Sequence, residues 1–95
     1  MKKLLAVKQS HKPDKKYDAI FDIDGRRKVV PFGAKGMSDY TINHDNERKE
    51  RYKIRHKKDL KTNDPTRAGY LSYYLLWNKP TLESSIRDYK NKFNF

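Results

Sequence analysis

Asp24-Gly25 fixes more of this chain's fold than any other pair of neighbours in it. An Asp-Gly pair supplies the positive φ angles that a tight two-residue hairpin turn needs. Upstream of it Tyr17, Ala19, Phe21 and Ile23 alternate with Asp18, Asp22 and Asp24, the two-residue period of a half-buried strand, with Ile20 as an apolar residue on the other face. A two-residue turn then sets Ile20 opposite Val29 and Ala19 opposite Val30, with Asp22 facing Arg27 as a cross-strand charge pair. Pro31 has no N–H to give, so the ladder is expected to end there. An apolar stretch in 3–9, joined through a connection at 10–14 that holds Pro13, adds a first strand. The expectation is a three-stranded antiparallel meander over residues 2–32.

Beyond the meander the pattern becomes helical. Gly33 and Gly36 bracket a loop, Ser38 or Asp39 caps a short helical turn, and Asp45 caps a longer helix running to about Lys58. On that helix Arg48, Tyr52, Arg55 and His56 project to the same side. Asp64-Pro65 reads as a cap followed by proline at the first helical position. It predicts a helix over 66–77 that carries Tyr70, Leu71, Tyr73, Tyr74, Leu75, Leu76 and Trp77. That helix is apolar around most of its circumference, so it is the expected central core element. Asn78-Lys79-Pro80 breaks the chain and Thr81 caps a last helix. Its Leu82, Ile86, Tyr89 and Phe93 fall at intervals of four, three and four, a single apolar stripe. The predicted class is α+β: a three-stranded antiparallel meander sheet followed by three to four helices, packed as a small two-layer domain. Residues 1–95 are read as one unit, with the meander in 1–33 and the helical part in 37–93.

Lysine and arginine number 23 against 12 acidic residues, a formal charge of +11. The surplus is concentrated in the amino-terminal segment, in 26–28 and in 48–58, and a surplus of this size draws polyanions without dictating a fold. Seven of these cations lie in 45–58, on a helix with one small apolar stripe. Aromatic residues make up 13% of the chain, which separates it from disordered basic segments. With no cysteine, disulfides and thiolate metal sites are excluded. The apolar run near the amino terminus is shorter than a signal-peptide core or a membrane span, so a soluble, intracellular protein without membrane association is expected.

Several constellations bear on chemistry. His44, Asp45 and His56, with Asp39 nearby, have the side chains of a divalent-metal site. On a continuous helix, however, the two imidazoles stand on different faces, about 18 Å apart along the axis. The serines lack a strand–turn–helix elbow, and the DxD of Asp22 and Asp24 ends in a hairpin in a chain too short for a doubly wound sheet. Gly33 and Gly36 flank Ala34-Lys35, a loop whose N–H groups and Lys35 suit a phosphate oxygen but which lacks a Walker A pattern; the same glycines also serve a sharp sheet-to-helix crossover. The basic helix carries the most functional information. Its Lys49, Arg51, Lys53, Lys57 and Lys58 are expected on exposed faces, where each can neutralise a backbone phosphate. With Lys35, Arg26 and Arg27 they form the candidate nucleic-acid-binding set. No metal, cofactor or small-molecule substrate is expected.

The phrases FGAKGMSDYT (32–41), NHDNERKERYKIRH (43–56) and AGYLSYYLLWNKPTLESSIRDYKNKF (68–93) resemble a family of small uncharacterised proteins. That family is classed as a domain of unknown function and is encoded by nucleocytoplasmic large DNA viruses. The resemblance implies a viral origin, a location in the cytoplasm or nucleus of an infected cell or in the virion, and no assigned activity. It also implies a shared framework of Gly33, Gly36, Asp39, Tyr40, His44, Arg48, Tyr52, Arg55, His56, Trp77, Asn78 and Pro80. In such a framework Arg48 and Arg55 would be hydrogen-bonded to carboxylates or carbonyls.

The leading expectation is therefore a non-enzymatic protein that binds DNA or RNA through its backbone, in a salt-sensitive way, and is associated with a viral genome or virion. A virion structural or adaptor protein is the alternative, with an exposed apolar patch around Tyr70, Tyr73, Phe93 or Phe95 against another viral protein. A metal-dependent nuclease using His44, Asp45 and His56 is the third.

Overall fold

The computed structural model describes residues 2–95. Strands β1 (Lys2–Gln9), β2 (Lys15–Ile23) and β3 (Arg26–Ala34) form one antiparallel sheet in the order β1-β2-β3. Asp24 and Gly25 take φ values of 53° and 87°, and the Asp22 carboxylate accepts from the Gly25 N–H at 2.9 Å. The turn sets the register the sequence implies: Ile20 pairs with Val29, Ala19 with Val30 and Asp22 with Arg27. On the other side of β2 the ladder shifts between Leu4 and Ala6, a bulge in β1.

Pro31 does not end the ladder, since β3 runs on to Ala34, which pairs with Lys15. Pairs alternate outward from the turn between hydrogen-bonded and non-hydrogen-bonded, and Asp18–Pro31 falls in the second class. An N–H at position 31 would point away from β2, so an edge strand loses nothing by having proline there.

The β1–β2 connection folds over Asp18. The Ser10 hydroxyl donates to one carboxylate oxygen at 2.6 Å; the His11 backbone N–H and ring Nδ1 reach the other at 3.1 and 2.5 Å. Burial pushes the Asp18 carboxyl up, but the hydrogen bonds from His11 and Ser10 outweigh it and hold the group below its ordinary 3.8.

Three side-chain caps start helices where the sequence places them. Asp39 accepts from the Thr41 N–H to open α1 (Tyr40–Asn43). Asp45 accepts from the Arg48 N–H to open α2 (Asn46–His56), and Thr81 from the Ser84 N–H to open α4 (Leu82–Phe93). A 3₁₀ helix, Lys57–Thr62, continues α2.

The predicted helix over 66–77 starts later and is not uniformly α. Asp64 spends its carboxylate on the Thr66 N–H and hydroxyl, while Arg67 is extended. Pro65's carbonyl, which a helix would pair with residue 69, accepts the buried Tyr89 hydroxyl instead. Helix α3 (Ala68–Leu71) therefore makes one turn and passes into a π-helical stretch, Ser72–Leu76. The central role of this segment stands, because Leu71, Leu75, Leu76 and Trp77 are all buried. They pack with Leu4, Ala19, Phe21 and Phe32 of the sheet and with Tyr89 of α4.

The exposed patch expected around Tyr70, Tyr73, Phe93 and Phe95 is not formed. Tyr70 is buried, its hydroxyl donating to the Leu60 carbonyl at 2.8 Å, and Phe93 and Phe95 fold onto Tyr89. Aromatic edges and faces satisfy one another here. The most exposed large apolar residues are Ile54, Ile42 and Met37.

Gly33 closes the sheet against the helical layer. Its φ is +77°, and a Cβ built there would lie 2.9 Å from Leu76 Cδ1. Gly33→Ala is expected to lower stability by at least about 1–2 kcal/mol, from the positive φ alone, read as a lower urea midpoint. Asp18 gives a pH prediction. Its folded pKa is depressed, so its contribution is complete above the ordinary carboxylate value and is lost as pH falls through the lower folded value. Urea midpoints measured from pH 5 down to about 2 should fall more steeply for the native chain than for Asp18→Asn.

Candidate functional site

Helix α2 buries none of its residues, and neither does the 3₁₀ helix that continues it. Positions i, i+3, i+4 and i+7, which normally carry the apolar stripe of a docked helix, hold Arg48, Arg51, Tyr52 and Arg55. Tyr52 does the docking. It stacks on Trp77 with ring centroids 4.6 Å apart and planes within 12°, and His56 stacks on it at 4.2 Å. Burial and the nearby charge of Asp59 raise the Tyr52 phenol to about 12, so it remains a neutral hydroxyl at physiological pH. The Arg48 guanidinium sits over the Trp77 ring, 5.8 Å from its centroid.

Held off in this way, α2 leaves a cleft of ≈ 510 Å³ between itself, the end of the sheet and the π-helical stretch. One wall is Arg48, Arg51, Tyr52, Arg55 and His56; the facing wall is Gly33, Ala34, Met37, Ser38 and Leu76, with Ser72, Trp77, Lys16 and Asp39 also lining it. Lys16 Nζ lies 2.5 Å from the buried Asp39 carboxylate, which also caps α1 and accepts from the Thr41 hydroxyl. The guanidiniums of Arg48 and Arg55 have no hydrogen-bond or ion-pair partner among the described residues, so the side-chain bonds that the framework reading assigned to them are not made.

The sequence-derived candidates are scattered. Arg51, Lys57 and Lys58 are exposed on α2 and the 3₁₀ helix. Lys49 and Lys53 are not extended into solvent as expected but half-buried, their ammonium groups 4.5 Å over the Tyr40 ring and 5.6 Å over the Tyr73 ring. Burial, with the charges of Lys53 and Lys79, holds Lys49 below the ordinary lysine value. Attraction of each ammonium to a tyrosine face accounts for both placements. Lys35 is exposed, and its backbone N–H donates to the Asp14 carbonyl at 3.0 Å instead of standing open for an anion. Arg26 and Arg27 are exposed at the hairpin tip. They stand at the opposite end of β3 from the cleft, about 26 Å away at ~3.3 Å per residue.

The three side chains of the metal reading go to three places. His44 Nε2 lies 3.0 Å from the Pro80 carbonyl, Asp45 caps α2, and His56 Nδ1 lies 3.0 Å from Asp59. No group of three or more His, Asp or Glu side chains able to hold a metal occurs among the described residues. Nor is any helix among them long and apolar enough to cross a membrane.

Fold and site together define a small α+β domain with a lightly docked cationic helix over an arginine-lined cleft. Residues 5–56, more than half of the chain, match the model of a family of unknown function, DUF5754, and the chain belongs to that family. The matched span takes in the sheet from Leu5 of β1 onward, α1 and α2; Trp77 and α4 lie beyond it. No curated protein and no solved structure matches the chain.

The cleft's main electrostatic tie is a testable structural element. Lys16→Met leaves the buried Asp39 carboxylate without its cation, which should lower stability by about 3 kcal/mol, measured by urea denaturation at neutral pH.

Proposed function

We propose that this is a non-enzymatic nucleic-acid-binding protein that engages the polymer backbone electrostatically. One observation carries the reading: the cations of α2 and the following 3₁₀ helix are not matched with carboxylates. The one acid–base contact between Lys or Arg and an acid in that segment, among the described residues, is Arg51 to Glu47 at 4.0 Å, with both side chains well exposed. An exposed pair of that length contributes little. Arg51, Lys57 and Lys58 thus keep their charge in water, with Lys61 adding another exposed cation on the same 3₁₀ helix. An acidic surface can use these groups, but a phosphate backbone takes up such charges with release of its own counterions. No recognition helix is apparent, so binding is backbone-directed and independent of sequence. Resemblance of the phrases quoted above to small proteins of large DNA viruses supports placing it in an infected cell, with the viral genome or in the virion.

Titration of mixed-sequence DNA and RNA at a series of salt concentrations tests this. Affinity should fall linearly on a log–log plot, and Lys57→Gln with Lys58→Gln should flatten the slope by about 1.8 on duplex DNA. Absence of binding at low salt would overturn the reading.

A further inference from the structure

We infer that the cleft under α2 is a binding site for a single phosphate monoester dianion, the phosphate end of a nucleic-acid strand or of a free nucleotide. This deepens the nucleic-acid reading, and rests on it for the choice of a nucleotide over other phosphomonoesters. The site itself stands on the cleft.

Four cations line the cleft against one carboxylate, and that carboxylate already belongs to Lys16 at 2.5 Å. What remains is Arg48, Arg51 and Arg55, three guanidiniums on one helical face. Arginine presents planar paired donors that match phosphate oxygens, and it stays charged at any physiological pH. Three charges suit a monoester, which has lost two protons, better than the single charge of a backbone diester.

Evolution normally places apolar side chains at these helical positions, because a docked helix gains most by burying them. Arginine at three of the four leaves the helix under-docked. A ligand seated between α2 and the sheet end would restore what the helix lacks, a counter-charge on its inner face.

Phosphate, and not a base, is the group this cleft is built to hold. Tyr52 has His56 on one face and Trp77 on the other, and Trp77 is buried. Little aromatic face is left for a nucleobase to stack on. The facing wall adds the Ser38 and Ser72 side chains and the apolar Ala34, Met37 and Leu76, room for a sugar beside the charge. At ≈ 510 Å³ the cleft accommodates one ligand of nucleotide size and not a duplex.

The test is a ¹H–¹⁵N titration of the full chain with inorganic phosphate, a nucleoside 5′-monophosphate, and one short oligonucleotide with and without its 5′-phosphate. Saturable shifts at the Arg48, Arg51 and Arg55 Nε–H and the Trp77 indole N–H are expected. The phosphorylated oligonucleotide should bind at least tenfold more tightly than its unphosphorylated twin. Arg55→Gln, at an exposed position, should weaken the monophosphate at least tenfold; Arg51→Gln provides a second exposed variant should that one fail to fold. Stronger binding of the phosphorylated strand than of the monophosphate assigns the site to strand ends, and equal binding assigns it to free nucleotides; either supports the inference. Equal affinity for the two oligonucleotides with no saturable shift from phosphate or monophosphate overturns it. Salt-dependent retention of a circular single strand, which has no phosphate end, tests the polymer-binding reading separately.

Discussion

The stack of Tyr52 on Trp77 sets how α2 relates to the rest of the molecule. An eleven-residue helix is marginal in isolation, and this one buries no residue completely. Aromatic stacking adds about 0.5–1.5 kcal/mol beyond the area it covers, and Lys49 and Lys53 on tyrosine faces add about 0.5–1 kcal/mol each. These modest terms suffice to keep the helix in place without drawing its guanidiniums into a low-dielectric interior, where unpaired charge would cost far more. A larger apolar face would dock the helix more firmly and close the space beneath it.

The facing wall is made differently. There the backbone approaches the helical layer so closely at Gly33 that a methyl group would collide with Leu76, and the half-buried Lys16 forms a tight pair with the buried Asp39 beside it. Asp39 joins two elements, capping α1 and binding its Thr41 while neutralising a lysine from β2. No buried side-chain nitrogen or oxygen among the described residues lacks a partner. One wall of the cleft is thus fixed by packing and satisfied polar groups, and the other is a helix held by ring contacts.

Sequence reasoning succeeded where a local rule decides the outcome. Asp24-Gly25 specified the hairpin register, and Asp39, Asp45 and Thr81 marked helix starts because each cap acts within three residues. It failed where a distant group takes over a local one. Asp64-Pro65 looks like a helix start until Tyr89, 24 residues away, claims the Pro65 carbonyl. Lys49 and Lys53 read as solvent-facing cations because nothing local reveals that Tyr40 and Tyr73 lie beneath them. The cleft had a visible trace in Arg48, Arg51, Tyr52 and Arg55 at the spacing of a buried stripe. Its meaning depended on Trp77 and on the glycine end of β3, which only the folded chain brings together.

Both free margins of the sheet are poor templates for a further strand. Along β3 the first three residues are Arg26, Arg27 and Lys28, and further on stands Pro31, whose ring nitrogen has nothing to donate outward. Along β1 the bulge at Leu4/Ala6 interrupts the regular spacing, with Lys2, Lys3 and Lys8 around it. A second molecule approaching either margin meets mutual repulsion before any ladder can form. A chain with this much positive charge can therefore be crowded along a polyanion without its sheets fusing edge to edge.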